Sequence, residues 1–472
     1  MKLSIIIALI LLPFFSDAQS CNCSENFKFL VGKIKNNYVG YKDKIKPSNQ
    51  ERFNVFTDSL QKVADSSNIN ECKDVYLKWL SFFKDRHLGI SSFKAVNASN
   101  DYIRTYFSKG EVVSWNELSF DKYLQDNKGK LDKIEGYWSN FPTYQIGIVK
   151  DSIKNNEFVG FILKADSIYW MPKQVKFRIK KVNGNYQVIY YKPLDHSKNS
   201  SSIRVKDSIL DFDGFGKYYK GKGFKDNPEA TAENQDLSPS FKVLDKETNL
   251  LVIPYAIIKY KKSVDSILVS NKKLLEKTEH LIIDLRNNSG GQNGTFENIL
   301  PYLYTNPIYT EGDAVLATAD NIRDGYDVDM TGYPEKTKKL MTEEVKKFKA
   351  HVGELYSYPA DTLKFDHILK NPQRISILID KSSASATEIF LLKAEQSKKV
   401  VLFGENSAGA IDYLDVIIGK MPCENYSVRY PAVRSNRVNT RPLDNVGIPP
   451  NVFIPDSVTD WVKFVRNYKR VH

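Results

Sequence analysis

Apolar residues recur at helical spacing through residues 24–92. Phe27, Phe29, Leu30, Ile34 and Tyr38 fall near one face, as do Phe53, Phe56, Leu60 and Val63. A third segment runs from Cys72 to Phe83 and ends at Lys84-Asp85-Arg86-His87. This pattern predicts a small N-terminal helical bundle. Between 130 and 225 the period changes. Short alternating or aromatic-rich runs, among them Tyr144–Ile148, Phe158–Ile162, Val175–Ile179 and Tyr186–Tyr190, are separated by Asn, Gly, Lys and Asp. They predict an inserted antiparallel β module, barrel or sandwich. From 240 to 456 the apolar runs become continuous, at Leu250–Tyr255, Leu281–Leu285, Ile375–Ile379 and Val400–Phe403. Such runs suit strands buried on both faces, with helices at Thr295–Tyr304 and Ala386–Gln396: an α/β core of sheet and flanking helices. Residues 310–370, polar and rich in Lys, Asp and Tyr, read as an excursion from that core.

Composition narrows the class. With 42% hydrophobic residues, the 472-residue chain has enough apolar material for two or three compact units. Its formal charge of +12 is spread through mixed segments such as Lys173–Lys181 and Lys336–Lys349, the solvated faces of a strand and a helix. That interspersion argues against a nucleic-acid partner. Lys2, the apolar run Leu3–Phe15 and the small residues Ser16 and Ala18 read as a signal peptide over 1–18, cleaved after Ala18. Nothing later is long and apolar enough to span a membrane, so the mature chain is expected to be exported, periplasmic or extracellular, and soluble. Cys21, near the new N-terminus, offers a lipid anchor as the alternative. Cys23, Cys72 and Cys423 complete the cysteines; export permits disulfides, while the spacing suggests no metal site. Whether Cys72 and Cys423 pair is left open by the sequence.

Three stations carry chemistry. Asp284-Leu285-Arg286-Asn287-Asn288-Ser289-Gly290-Gly291 runs from a strand into a glycine-paired turn, where backbone N–H groups can approach a ligand. Ser382-Ser383-Ala384-Ser385-Ala386-Thr387-Glu388 places a serine at a helix N-terminus, which favours a developing oxyanion. Ser385-x-x-Glu388 also fits a helix capping box. Gly404-Glu405-Asn406-Ser407-Ala408-Gly409-Ala410 follows the next strand. Alone, each also fits an ordinary strand-to-helix turn.

In this order the stations resemble the tail-specific, or C-terminal processing, serine peptidase family and its tricorn-like relatives, over roughly 245–456. The resemblance implies an α/β core with an N-terminal helical part, peptide or partly unfolded protein as substrate, and no cofactor or metal. It puts the nucleophile on Ser385, with the N–H groups of Ala386 and of Gly290 or Gly291 as oxyanion hole. The processing branch carries a lysine base directly after the glycine of the third motif; here that residue is Ala410. The turn Asp85-Arg86-His87-Leu88-Gly89-Ile90 resembles the one that supplies histidine in lysine-less, tricorn-like relatives, which makes His87 the base. Arg86 stands where the tricorn protease has an auxiliary serine. Asp444-Asn445-Val446-Gly447-Ile448-Pro449 resembles the family stretch led by a glutamate of the catalytic tetrad, so Asp444 is the orienting acid, one methylene shorter.

Two rival readings stay open. With Ala410 in the lysine position, the chain also fits an inactive pseudo-peptidase that binds peptides. The β module, whose Glu135-Gly136-Tyr137-Trp138 resembles the opening of lipocalin-like barrels, also fits a small-ligand binder lined by Tyr137, Trp138, Phe158, Phe161, Tyr169 and Trp170. The carboxylate-binding loop of a PDZ module is not found before the core. His196, His280, His351, His367 and His472 read as structural or surface residues, and Asp412 and Asp415 as solvated positions flanking a strand.

Overall fold

The computed structural model describes residues 22–67, 72–92, 100–140, 144–222, 238–422 and 426–468, apart from 153, 155, 183, 193–195, 197, 207, 213–215 and 456. The signal-peptide segment, Cys21 and Cys423 lie outside the described residues.

The α/β core is a six-stranded sheet in the order Ser240–Val243, Thr248–Val252, His280–Asp284, Arg374–Ile379, Val400–Gly404 and Val452–Phe453. Its first pair is antiparallel and the rest parallel. Both faces are covered, which is why these strands read as unbroken apolar runs. Leu281, Ile283, Ile375 and Ile377 pack on Val264, Leu268, Phe296 and Phe390. Their neighbours Ile282, Leu378 and Phe403 point the other way, toward Trp461 and Val465. The three chemical stations are the turns at the carboxyl ends of adjacent parallel strands, where open α/β sheets bind ligands. The segment expected as a helix at Thr295–Tyr304 begins instead as a 3-10 turn, Asn293–Ile299.

Helices Cys23–Asn37, Gln50–Ser66 and Cys72–Leu80 bury Phe27, Leu30, Phe53, Tyr76 and Trp79 together. Cys72 pairs with Cys23. The bundle's apolar side continues onto Tyr413, Tyr426, Val428 and Tyr430 of a second sheet. In that sheet Gly89–Ser92 lies antiparallel to Tyr426–Arg429, with Gly89 opposite Arg429. The end of the predicted bundle is therefore a strand, and it carries the preceding His87 turn to the core. Part of the excursion also belongs to this sheet, since Asp313–Leu316 pairs with Val433–Ser435.

Eight antiparallel strands between Gly136 and Lys220 close into a barrel, Trp138 meeting Lys220 across the seam. Three of them, Lys198–Lys206, Ile209–Phe212 and Gly216–Lys220, escaped the sequence pattern, the first because it is Ser- and Lys-rich and the other two because they are only four and five residues long. Two short helices before the barrel, Asn100–Phe107 and Glu117–Asp126, were also missed. The aromatic residues considered as pocket lining divide. Trp138, Phe158 and Trp170 fill the barrel core, whereas Tyr137 and Phe161 lie outside it against Phe120 of the second helix. Packing accounts for all five.

Candidate active site

The turns are laced to one another by backbone hydrogen bonds. Ala384 N–H donates to Asn288 O at 3.0 Å, Ala408 N–H to Ser383 O at 2.8 Å, and Ser407 N–H to Ile448 O at 3.1 Å. Asp380 accepts the N–H groups of Asn287, Ser382 and Ser383. Ser385 sits at the apex as N-cap of the helix Ala386–Ala394, with φ +54° and ψ −117°. A non-glycine residue there stores backbone strain, a feature that clusters at functional turns. The capping relation of Ser385 with Glu388 is present. Its recorded bond runs from Ser385 N–H to the Glu388 carboxylate at 3.0 Å.

Glu388 is fully buried and organises the third station as well. Its carboxylate also accepts Ser407 Oγ–H at 2.5 Å, Gly409 N–H at 2.8 Å and Ala410 N–H at 2.9 Å. Ala410, where the processing branch has its lysine, is buried and contributes only this backbone donor to the site.

The candidate oxyanion donors separate. Gly290 N–H is engaged by Asn288 Oδ1 at 3.0 Å. Gly291 N–H and Ala386 N–H donate to no group among the described residues. Gly290 has a steric part instead: at φ +87°, a Cβ there would lie 2.4 Å from Ala384 O, 2.8 Å from Ser385 Cβ and 2.9 Å from Ala386 N.

His87 and Ser385, far apart in sequence, line one cleft of about 760 Å³ together with Gly291. The His87 side chain is 14% exposed, and its Nδ1 lies 3.9 Å from Asp85 Oδ1. Asp85 in turn accepts His87 N–H at 2.8 Å and Tyr38 Oη–H at 2.7 Å. Burial lowers the His87 pKa, while the Asp444 and Glu388 carboxylates and the Tyr413 backbone pull it back up. Asp444 accepts Ile411 N–H and Asp412 N–H on Oδ1, and its Oδ2 lies 3.3 Å from Lys44 Nζ. Burial first, then the Asp85 charge, push its carboxyl up to about 6. Asp444 thus acts on His87 through charge, and Asp85 is the carboxylate nearest the ring.

Asp412 corrects the reading of a solvated position. It is buried, paired with buried Arg437 at 2.9 Å, and accepts Leu443 N–H and Asp444 N–H. A strand-flanking aspartate gave no sign of this, because its partner lies beyond the next strand. Asp85, Lys44 and Asn288 were missed for the same reason, although Asp85 and Asn288 sit inside motifs already singled out. Among the described residues, no group of three or more His, Cys, Asp or Glu side chains is placed to hold a metal ion.

Residues 239–454 match the model of peptidase family S41. No curated protein matches the chain. Among solved structures, mature CPAF complexed with lactacystin is 14% identical, with 92% of this chain and 94% of that one covered and a TM-score of 0.46. A peptidase from Parabacteroides merdae ATCC 43184 is 15% identical over 94% and 92%, TM-score 0.43. The tricorn protease is 10% identical over 92% of this chain and 34% of its own, TM-score 0.36. The match over residues 239–454 marks that segment as an S41 serine-type peptidase domain of the tail-specific kind.

Proposed function

We propose that the protein hydrolyses peptides or partly unfolded proteins through an acyl-enzyme on Ser385. His87 takes the Ser385 proton as the Oγ–carbonyl bond forms, then delivers it to the leaving amine. Water attacks the acyl-enzyme by the same route in reverse, which regenerates Ser385. Gly291 N–H and Ala386 N–H are the donors available to the tetrahedral oxyanion. Asp85 and Asp444 position His87 and balance its charge. The single observation that carries this reading is the meeting of His87, Ser385 and Gly291 in one cleft. It supplies a base where Ala410 leaves no lysine.

Export is part of the proposal. The sequence of residues 1–18 supports it, and so does the Cys23–Cys72 disulfide, a bond that persists in oxidising compartments. Among the described residues no helix is long and apolar enough to cross a membrane. The test is hydrolysis of unfolded casein by the mature chain, beside Ser385→Ala and His87→Ala. Turnover abolished by either change supports the assignment. A folded wild type that hydrolyses nothing yet binds the casein favours the pseudo-peptidase.

A further inference from the structure

The cleft that holds Ser385 carries charged side chains that have no ion-pair partner among the described residues. Of its charged lining, Glu395 is held by Arg441 and Arg437 by Asp412, while Lys393 and Glu311, of opposite sign, form no ion pair among the described residues. Asp313 and Asp415 also line the cleft, and their carboxylates accept no hydrogen bond and pair with no cation among the described residues. They reach it from two strands that flank Tyr426–Ser435 on opposite sides, Asp313 opposite Ser435 and Asp415 between the paired Leu414 and Val416. Asp415 stands at φ +51°, a left-handed backbone position between the pairs Leu414–Val433 and Val416–Pro431, whose register continues unshifted.

Both groups are affected by their placement. Protein enclosing the Asp415 carboxyl raises its pKa, and burial raises that of Asp313, with the Asp415 charge adding to it. The residue Asp415 nevertheless remains accessible from the cleft. The Tyr326 hydroxyl, buried with no hydrogen-bond partner among the described residues, also feels both carboxylates, although it lines a separate cleft. Two carboxylates that line one cleft and act on each other's charge form a site that a cation would complete. This lies in a protein whose net charge is +12, so the acidity is local to the cleft and opposite to the surface as a whole.

We infer that Asp313 and Asp415 form a subsite for a lysine or arginine side chain of the substrate, so that the cleft selects basic peptides. The inference rests on the peptidase reading of the cleft and adds its substrate class. An ammonium or guanidinium between the two carboxylates removes their repulsion and gains charge-assisted hydrogen bonds in a partly desolvated place.

The test uses quenched fluorogenic peptide mixtures in which one position is fixed as lysine, arginine, norleucine or glutamate. For one position, the wild type should show kcat/KM about tenfold higher with lysine or arginine than with norleucine, and lowest with glutamate. Asp313→Asn/Asp415→Asn should erase that preference while still hydrolysing the norleucine mixture. The single variants Asp313→Asn and Asp415→Asn, each with a thermal melt, show whether a loss comes from the subsite or from the fold. In parallel, fluorescence anisotropy on Ser385→Ala compares labelled peptides that differ only in lysine or norleucine. About tenfold tighter binding of the lysine peptide supports the subsite even if the wild type hydrolyses nothing, in which case only the catalytic reading fails. Equal rates and equal affinities for lysine and norleucine at every position overturn the inference.

Discussion

Gly290→Ala isolates the packing that fixes the nucleophile. The residue stands at φ +87°, which costs an alanine ~1–2 kcal/mol in backbone strain. The added methyl also meets three atoms of the nucleophile turn at 2.4–2.9 Å, two of them backbone. Backbone cannot swing aside as the end of a flexible side chain can, and overpacking of this kind costs a further ~1–3 kcal/mol. The expected loss is therefore ~2–5 kcal/mol. Gly353→Ala separates the two contributions: it has φ +92° with nothing within 4 Å of its Cβ, in the same family domain, and should lose only ~1–2 kcal/mol. Relief of the Gly290 clash must displace Ser385 or Ala386, and about 1 Å of misplacement at a reacting centre costs ~100-fold in rate. Urea unfolding gives the stabilities, and the rate of fluorophosphonate labelling reports the nucleophile. Gly290→Ala with the stability of Gly353→Ala and wild-type labelling would refute the packing argument.

Other expectations follow from the same geometry. Asp444 has its carboxyl pKa raised from 3.8 to about 6 in the fold, so its contribution favours the native state at low pH and is lost as pH rises through 6. The two units correspond to about 3 kcal/mol, and urea midpoints should shift in favour of Asp444→Asn over wild type between pH 4 and pH 7.5. Hydrolysis needs neutral His87, whose pKa lies below 6.5, and the acid limb of the rate should fall there. Lys44 lowers the Asp444 pKa, so Lys44→Met should move the Asp444-linked loss of stability to higher pH; an unmoved transition would remove Lys44 from the network. Cys23→Ser/Cys72→Ser opens a cross-link between residues 49 apart and should destabilise the helical bundle by about 4 kcal/mol, read by thermal melting. Arg437→Met leaves Asp412 buried without its cation and should cost ~3–5 kcal/mol in urea unfolding.

The core was legible because strands buried on both faces, such as His280–Asp284 and Val400–Gly404, write themselves as continuous apolar runs. The barrel was legible only where its strands are aromatic; Lys198–Lys206, mostly polar, has no such signature. At the site, sequence order marked the three turns, since each motif is local to one strand end. Sequence was blind to contacts made through the fold. Asp85 was passed over beside His87, Lys44 lies in a short helix and its partner Asp444 in a turn far along the chain, and the pairing of Asp412 with Arg437 closes across a strand. The two glycines read as equivalent, yet Asn288 engages the N–H of Gly290 and leaves that of Gly291. That distinction depends on the direction in which each peptide faces, which composition and spacing do not encode.

The central claim is that Ser385 is a nucleophile activated by His87. The most direct measurement is fluorophosphonate labelling of the mature protein, with the adduct located by peptide mass spectrometry, in wild type, Ser385→Ala and His87→Ala. Modification at Ser385 that His87→Ala suppresses is the predicted result. An unlabelled but folded wild type, or labelling of Ser385 that persists in full without His87, would contradict it.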